Sequence, residues 1–451
     1  MNFDRILRQT AYSIAKKIDC LTNPQVNESV KIINFGETAN LDAITEFRLQ
    51  ALKKLIQYAS INVPYYRDLF AKIGLDSGSI ENLQDLEKIP VLTKDDIRLA
   101  GTSLQSLEIK KILYSSARSG GTTGEPITSY LNRKAQALGT YASFRGFNWM
   151  GWKPGIPVVT LFGGSLGRPN ITSLRVKTRE FALGNIFLPA FELTKNNVAK
   201  YLETIDQYAP CIVKGYASVL YTLALYAEEV KYIPRSIISF FSTAEYLPDQ
   251  WAMKISDMFG CPVKCYYGCG EINSLGFQVD PFGPYIVPDE HVIIESFSEG
   301  STNEEKTHSL FVTSLFNYAQ PLIRYKLGDL GKVNLPGTLH PTRSTITNLI
   351  GRTSDMIIRK DGSVVSPSLA PHLVLKTKLP VRKYQIIQKD FINFHFLYDP
   401  EHEDLTENEK TSVTEILKDH ISSEIVITFI KTTDFLLSRT GKLSIVISEL
   451  S

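Results

Sequence analysis

The residues with the clearest chemical potential form a short segment rich in glycine and hydroxyl groups, SGGTTG at positions 119–124. Backbone N–H groups in a glycine-rich turn can point together at one anion, and the absent side chains let that anion approach closely. Hydroxyl groups add further donors, so phosphate is the predicted ligand. A flexible surface loop is the common alternative for such a composition. The members of the segment are Ser119, Gly120, Gly121, Thr122, Thr123 and Gly124.

The segment does not continue as the loop of a P-loop NTPase does. That motif requires a lysine and then a serine or threonine directly after its last glycine. Here Glu125 and Pro126 follow the last glycine, and the Gly441-Lys442 pair near the C-terminus is followed by Leu443. The sequence therefore disfavours a P-loop NTPase.

Four further segments each place a single reactive side chain at a turn. YYGCGE (266–271) and PLIRYKLGD (321–329) end in carboxylates, GRTSD (351–355) carries an arginine, and SRTGKLS (438–444) carries a lysine after a glycine. Each segment alone would be an ordinary turn. All five segments in this order, spread over most of the chain, form a specific pattern.

Together the five segments resemble the core motifs of the adenylate-forming superfamily, which contains the acyl- and aryl-coenzyme A synthetases. PLIRYKLGD, STAEYL (242–247) and the short C-terminal unit are most similar to its phenylacetate–coenzyme A ligase branch, which includes a clade associated with capsular and surface polysaccharide synthesis. The resemblance covers roughly residues 85–451. It implies that a carboxylate attacks the α-phosphate of ATP, pyrophosphate leaves, and a second nucleophile takes the acyl group from the acyl-adenylate.

The resemblance implies an ATP-binding role for several matched positions. The 119–124 loop would hold the triphosphate, with Thr122 and Thr123 on the β- and γ-phosphates. Tyr267, next to Gly268, would stack on adenine, since a flat apolar face suits a flat base. The segment that would run along the adenine edge consists of Thr243, Ala244 and Glu245.

The remaining matched positions would serve the metal, the ribose and the reacting atoms. Glu271 would bind Mg²⁺, which prefers hard carboxylate oxygens. Asp329 would accept hydrogen bonds from both ribose hydroxyls, and Arg352 would lie near the ribose and phosphate. Lys442 would bridge the attacking carboxylate and the α-phosphate, so that positive charge meets the negative charge that develops there. The resemblance thus makes Lys442, Glu271 and Thr122 the catalytic candidates.

Four positions depart from the residues that are most frequent in these motifs. Gly120 replaces a serine, Glu125 a lysine, Gly270 a threonine or serine, and Ser354 the hinge aspartate or lysine. A degenerate, non-catalytic nucleotide-binding protein of the same fold is therefore the alternative function, and the retained carboxylates, arginine and lysine argue against it. The acceptor is also open: coenzyme A, or an amine or hydroxyl group of a sugar precursor.

The apolar pattern predicts an α/β fold. Short apolar segments such as IPVVTLF (156–162), CIVKGY (211–216) and SIISFFST (236–243) alternate with helical stretches, which is typical of mainly parallel sheets flanked by helices. From residue 291 the pattern becomes strand-rich and indicates a β subdomain. We expect a large adenylation domain over residues 1–353 and a small, mobile α+β domain over residues 354–451 that carries the catalytic lysine.

Composition excludes several other classes of protein. The net charge of +2 gives no electrostatic footprint for nucleic acid. No apolar run approaches the ~20 residues of a membrane span, and the five cysteines suit free thiols in a reducing compartment. We therefore expect a cytoplasmic protein, with no prediction of its oligomeric state. The amphipathic start, residues 3–18, could lie on a membrane surface, although packing against its own domain is the favoured interpretation.

Two clusters of side chains have a structural and a functional interpretation. The aromatic residues Phe147, Trp149 and Trp152 could line the acyl pocket, although a buried hydrophobic cluster is the favoured interpretation. Cys261, Cys265 and Cys269 are spaced four apart, but four strand residues span ~13 Å. Because zinc bonds to sulfur are ~2.3 Å long, one ion would not bridge them.

Overall fold

The computed structural model describes residues 3–118, 128–162, 180–190, 193, 195–298, 308–352, 357–360, 364–365, 377, 379–436 and 444–450. The α-helices are α1 (Phe3–Thr22), α2 (Pro24–Thr38), α3 (Leu41–Asn62), α4 (Pro64–Ile73), α5 (Lys94–Ala100), α6 (Arg133–Trp149), α7 (Val198–Gln207), α8 (Ala217–Val230), α9 (Asp249–Phe259) and α10 (Glu407–His420). Short 3-10 helices cover Ser77–Ser79, Leu83–Lys88, Gly101–Leu104 and Ile109–Lys111.

The strands are β1 (Tyr114–Arg118), β2 (Thr128–Asn132), β3 (Val158–Phe162), β4 (Asn185–Pro189), β5 (Cys211–Tyr216), β6 (Ile237–Thr243), β7 (Val263–Tyr267), β8 (Gly276–Gln278), β9 (Tyr285–Ile286), β10 (Val292–Ser298), β11 (His308–Ser314), β12 (Tyr325–Asn334), β13 (Thr345–Arg352), β14 (Ile357–Ile358), β15 (Val364–Val365), β16 (Val381–Gln388), β17 (Asn393–Pro400), β18 (Val426–Lys431) and β19 (Val446–Ser448).

Eleven of these strands form one sheet in the order β10-β11-β12-β13-β9-β8-β7-β6-β5-β3-β4. Strands β4, β3, β5, β6 and β7 pair in parallel, and α7, α8 and α9 connect them in turn. Strand β3 is buried at every position, as expected for a parallel strand with helices on both faces. From β7 onward the pairs are antiparallel. The predicted α/β fold, with parallel strands followed by a strand-rich unit, is confirmed.

A second, four-stranded sheet is formed near the C-terminus in the order β18-β17-β16-β19. Strands β16 and β17 form an antiparallel pair. Helix α10 begins at a capping box, in which the Thr406 hydroxyl accepts from the Glu409 N–H at 3.3 Å and the Glu409 carboxylate accepts from the Thr406 N–H at 2.7 Å. This unit has its own apolar core, which includes Ile386, Phe394 and Phe396. The boundary predicted at residue 353 stays a prediction.

The first helix packs on the rest of the chain through its more polar face. The Tyr12 ring lies edge-on to Phe144 and Trp152, with centroid distances of 5.7 and 5.9 Å. Its opposite face is apolar and exposed, and carries Leu7, Ile14, Ile18 and Leu21. Packing within the chain, the favoured interpretation, is therefore found. Within the described ranges, no helix combines the length and the apolar character that crossing a membrane requires.

A buried ion network joins the N-terminal helices to the large sheet. The Glu290 carboxylate is fully buried and accepts from Arg145 of α6 and, at 3.0 Å, from Arg343. Arg343 also donates to the Gly36 carbonyl of α2. Burial alone would raise the pKa of Glu290, but the two guanidinium groups outweigh it and hold the pKa below its ordinary value.

Replacing Glu290 with Gln is expected to lower the free energy of unfolding by about 3–5 kcal/mol, because two buried guanidinium groups lose their counter-charge. Since the folded-state pKa of Glu290 is depressed, this contribution is present above its unfolded value and is lost as the pH falls through the folded value. Urea titration of wild type and variant between pH 7 and pH 4 measures both effects. The control is Glu37→Gln: Glu37 lies 3.6 Å from Arg145 but is half exposed, and its loss should cost at most about 1 kcal/mol. Equal losses in the two variants would contradict the prediction.

Candidate active site

The carboxyl ends of the parallel strands form the edge at which α/β sheets bind ligands. Tyr216 ends β5, Thr243 ends β6, and these two residues are register partners. Tyr267 ends the neighbouring strand β7. Two of the three strand ends are therefore positions for which the sequence predicted contacts with adenine.

The predicted adenine-edge segment leaves β6 with a strained backbone. The Thr243 hydroxyl donates to the Tyr266 carbonyl at 3.0 Å and ties the ends of β6 and β7 together. Ala244 follows with φ of +70°, which costs a residue with a Cβ about 1–3 kcal/mol. Glu245 is half-buried. The fold thus holds this segment in a defined, unfavourable shape at the edge of the sheet.

The predicted adenine and ribose residues contact each other directly. The Tyr267 hydroxyl donates to Asp329 Oδ2 at 2.6 Å, although 62 positions separate the two residues. Asp329 lies on β12 after Gly328, whose φ of +78° favours glycine. In the β12–β13 ladder, Asp329 is the register partner of Arg352. Three predicted positions therefore meet, although the Arg352 side chain is not among the described atoms.

The predicted metal ligand, Glu271, is buried in the loop that follows β7. Glu271 is 3% exposed, and its Oε1 accepts from the hydroxyl of the buried Tyr325 at 3.0 Å. The loop that presents it is tight: Asn273 and Ser274 have positive φ, and a Cβ on Gly268 would lie 3.1 Å from the Ser274 nitrogen. Gly268 is therefore required for close backbone approach. A carboxylate held in place by a neutral donor suits Mg²⁺, whose remaining ligands would come from phosphates and water.

Both predicted carboxylates act on the Cys269 thiol. Burial raises the pKa of this thiol, and the carboxylates of Glu271 and Asp329 raise it further. The ribose and metal candidates therefore act electrostatically on the same side chain. All five cysteines are free thiols. Among the described side chains, no three from His, Cys, Asp and Glu are grouped to hold a metal ion.

Gly270 has open space around it, because a Cβ placed there would meet nothing within 4 Å. The fold would therefore accept the threonine or serine that is frequent in the resembled motif. The absence of a hydroxyl at this position is a property of the sequence and does not follow from crowding.

Known proteins with similar sequences include phenylacetate–coenzyme A ligases. The chain is 28% identical over 366 residues to a phenylacetate–coenzyme A ligase of Pseudomonas putida, which covers 78% of this chain and 80% of that one. It is 24% identical over 369 residues to protein CapK of Staphylococcus aureus, covering 77% and 76%. The chain is a relative of the phenylacetate–coenzyme A ligases. No protein-family model matches it.

The fold of this ligase relative agrees with the sequence similarity. It superimposes on a crystal structure of 2-hydroxyisobutyryl-CoA ligase, in the postadenylation state with 2-HIB-AMP, with a TM-score of 0.68 and 18% identity, covering 91% and 89% of the two chains. The crystal structure of an anthranilate CoA ligase with anthranoyl-AMP gives a TM-score of 0.52. The predicted resemblance to adenylate-forming enzymes is confirmed in both sequence and fold.

Several predicted site residues of this ligase relative lie outside the described residues. They are the phosphate-loop positions 119–124, Ser354 and Lys442. The strands that flank the loop are described: β1 and β2 pair antiparallel, with Arg118 opposite Thr128. Strand β2 is anchored to the large sheet, because the N–H of Tyr130 donates to Gln320 Oε1 at 2.9 Å.

No prediction from the sequence covered the Tyr325 hydroxyl, which donates a hydrogen bond to the predicted metal ligand Glu271. Tyr325 lies within the segment PLIRYKLGD that carried the resemblance, yet its role follows only from the sheet, which brings it to Glu271. Its one sequence signal was a tyrosine in a segment that ends in the ribose aspartate. The hydrogen bond between Tyr267 and Asp329 had no signal beyond the separate prediction of each residue.

Proposed function

We propose that this chain uses ATP to adenylate a carboxylic acid and then transfers the acyl group, acting as an AMP-forming ligase of the coenzyme A ligase type. The observation that carries the proposal is the hydrogen bond of the adenine candidate Tyr267 to the ribose candidate Asp329 at 2.6 Å. Two residues matched separately, from distant segments, are thus in direct contact, which supports a shared nucleotide site. A non-catalytic nucleotide-binding protein would not need the buried carboxylate of Glu271.

Each protein group has a distinct role in the proposed reaction. Asp329 orients the ribose, Thr243 to Glu245 follow the adenine edge, and Tyr267 covers its face. Thr122 and the other residues of the 119–124 loop hold the phosphates, Arg352 lies beside them, and Lys442 stabilises the charge on the reacting oxygens. Glu271 would hold Mg²⁺, which when bound neutralises charge on the phosphates.

Coenzyme A is the acceptor that we propose first. Relatives of this chain are named phenylacetate–coenzyme A ligases, and a structure of similar fold holds 2-HIB-AMP and CoA, with a TM-score of 0.56. The second candidate acceptor is an amine or hydroxyl of a surface-polysaccharide precursor, as the resemblance to the polysaccharide-associated clade implies. We propose that either reaction takes place in the cytoplasm, where the thiols stay reduced.

ATP–pyrophosphate exchange with a panel of aryl, fatty, amino and uronic acids tests the first step. Release of AMP and loss of free coenzyme A thiol then test the second step. Exchange without thiol loss would favour an amine or hydroxyl acceptor. Binding of ATP with no exchange for any acid would favour the non-catalytic alternative.

Replacing Asp329 with Asn is expected to weaken ATP binding by several kcal/mol, because hydrogen bonds to a charged acceptor contribute about 1.5–3 kcal/mol each. Calorimetry with ATP and with 2′,3′-dideoxy-ATP measures the effect. The loss should shrink sharply for the dideoxy nucleotide, which lacks both hydroxyls. The control is Tyr267→Phe, which removes only the 2.6 Å hydrogen bond to Asp329 and keeps the ring, and should cost about 1 kcal/mol. An equal loss for both nucleotides in Asp329→Asn would refute the ribose assignment.

A further inference from the structure

A lysine ammonium lies among aromatic rings next to the proposed active site. Lys214 is on β5, two residues before the strand end at Tyr216, and the register places it between Thr160 of β3 and Phe241 of β6. Its Nζ lies 5.6 Å from the ring centroid of Phe147 and 5.6 Å from that of Phe162. Two strand residues span ~7 Å. Lys214 therefore lies about 7 Å along the strand from the edge at which adenine is proposed to bind.

This ammonium is not ion-paired by any residue that the structure describes. Glu180 is the carboxylate that acts on it, but Glu180 is beyond ion-pairing distance and accepts from Asn185 Nδ2 at 2.7 Å. Burial lowers the pKa of Lys214 to about 8, and the attraction of Glu180 offsets this only in part. The register neighbour Thr160 is 1% exposed, and its hydroxyl has no hydrogen-bond partner among the described residues. A half-buried cation and a buried hydroxyl thus lie on neighbouring positions of the sheet, and neither has a hydrogen-bond acceptor or counter-ion among the described residues.

The rings around the ammonium pack closely on one another. Phe147 of α6 stacks on Phe241 at 5.7 Å and meets Tyr266 edge-on at 5.0 Å. On the other side, Phe162 lies 4.9 Å from Tyr216. Apolar surfaces with a few polar groups are the usual lining of small-molecule sites. Phe147, Trp149 and Trp152 belong to one hydrophobic cluster, so the interpretation that the sequence favoured for them is found.

We propose that Lys214 determines acid specificity: it binds a second oxyanion at the far end of the substrate, so that the preferred substrates are carboxylic acids with a distal carboxylate or similar group. The inference rests on the proposed function, because it assumes that the edge of this sheet holds the adenylate. The far end of the acid would then extend along β5 between the two phenylalanine rings. The Thr160 hydroxyl would donate to the same oxyanion.

The test uses acids matched in length that differ at one end: adipate against hexanoate, and 1,4-phenylenediacetate against 4-methylphenylacetate. ATP–pyrophosphate exchange gives kcat/KM for each acid with wild type and Lys214→Met. Wild type should favour the dicarboxylates, and Lys214→Met should reduce that preference by about 30-fold or more, since it removes one partner of a buried charge pair. Activity of the variant on the monocarboxylates should persist.

The Tm of Lys214→Met separates a specificity role from a structural role, because the two roles predict opposite changes in the Tm. An ammonium that is partly removed from water and has no counter-ion among the described residues destabilises the fold while it is charged, so Lys214→Met should raise the Tm at pH 7. The gain should disappear as the pH rises from about 8, the folded-state pKa, toward the unfolded value of about 10.4. A lowered Tm would show that Lys214 supports the fold and would overturn the proposal.

The matched control is Lys264→Met. Lys264 is also half-buried and occupies the same row of the sheet, opposite Phe241, but its Nζ donates to the Met150 carbonyl at 3.0 Å. This variant should leave the preference between acids unchanged. Exchange with an unchanged preference in Lys214→Met would overturn the inference and leave the proposed function standing. No exchange with any acid in wild type would overturn both.

Discussion

Replacing Glu271 with Gln is expected to reduce Mg²⁺-dependent ATP–pyrophosphate exchange by about 10²–10³-fold, the usual cost of removing a preorganised electrostatic group. The amide has almost the same shape and can still accept the hydrogen bond that Tyr325 gives at 3.0 Å. The fold should therefore persist, while the charge that attracts the ion is lost. Calorimetric titration of Mg²⁺ into the enzyme–ATP complex should show weaker binding even without an acid substrate.

Two further variants separate the metal role from a structural one. Tyr325→Phe keeps the carboxylate but removes its donor, and such supporting groups typically contribute 10–100-fold to metal affinity. Glu228→Gln makes the same chemical change on the surface of α8, where Glu228 forms a salt bridge with Lys254 and is 58% exposed, and should have no effect on exchange. Wild-type Mg²⁺ dependence in Glu271→Gln would show that the metal is bound elsewhere.

The elements that position this site could be predicted because they depend on local patterns. Apolar segments of strand length alternate with helices from β3 to β7, and the resulting sheet is parallel. The capping pairs Thr93–Asp96 and Thr406–Glu409 are three positions apart, so their contacts are fixed by helix geometry. Except for Asp329, which lies within β12, each predicted site residue in the described ranges also lies at or next to a strand end or in a turn.

The contacts between those elements could not be predicted, because they depend on which strands become neighbours. Strand β9 pairs with both β8 and β13, and this brings β12 and Asp329 round to the end of β7 and Tyr267. The Arg145–Glu290–Arg343 network likewise joins segments far apart in the sequence. The position of Lys214 within the apolar segment CIVKGY did not indicate which side chains would surround it. Its aromatic neighbours come from α6 and β3.

Replacing Lys442 with Ala is expected to reduce adenylate formation by about 10²–10³-fold and to leave acyl transfer from a supplied acyl-adenylate intact. The lysine lies outside the described residues, and its role is proposed from the SRTGKLS match. The four-stranded unit, whose strands lie on both sides of Lys442 in the sequence, has its own core, which supports our proposal that residues 354–451 form a mobile domain. If that domain rotates about the junction near Arg352, Lys442 reaches the α-phosphate in one orientation only. The charge that it supplies is then needed where the pyrophosphate bond breaks, and not in thioester formation.

The two half-reactions of Lys442→Ala must therefore be measured separately, by ATP–pyrophosphate exchange and by thioester formation from synthetic acyl-adenylate. Lys418→Ala is the matched control, because Lys418 is an exposed lysine on α10 of the same C-terminal unit, and it should leave both rates unchanged. Equal losses in both half-reactions of Lys442→Ala would indicate that the lysine serves the fold or the acyl group in general. Unimpaired exchange would indicate that Lys442 is a solvated turn residue. It would also remove the main reason to propose domain rotation in the first step. Loss of exchange alone is the result expected if the lysine acts only in the first step.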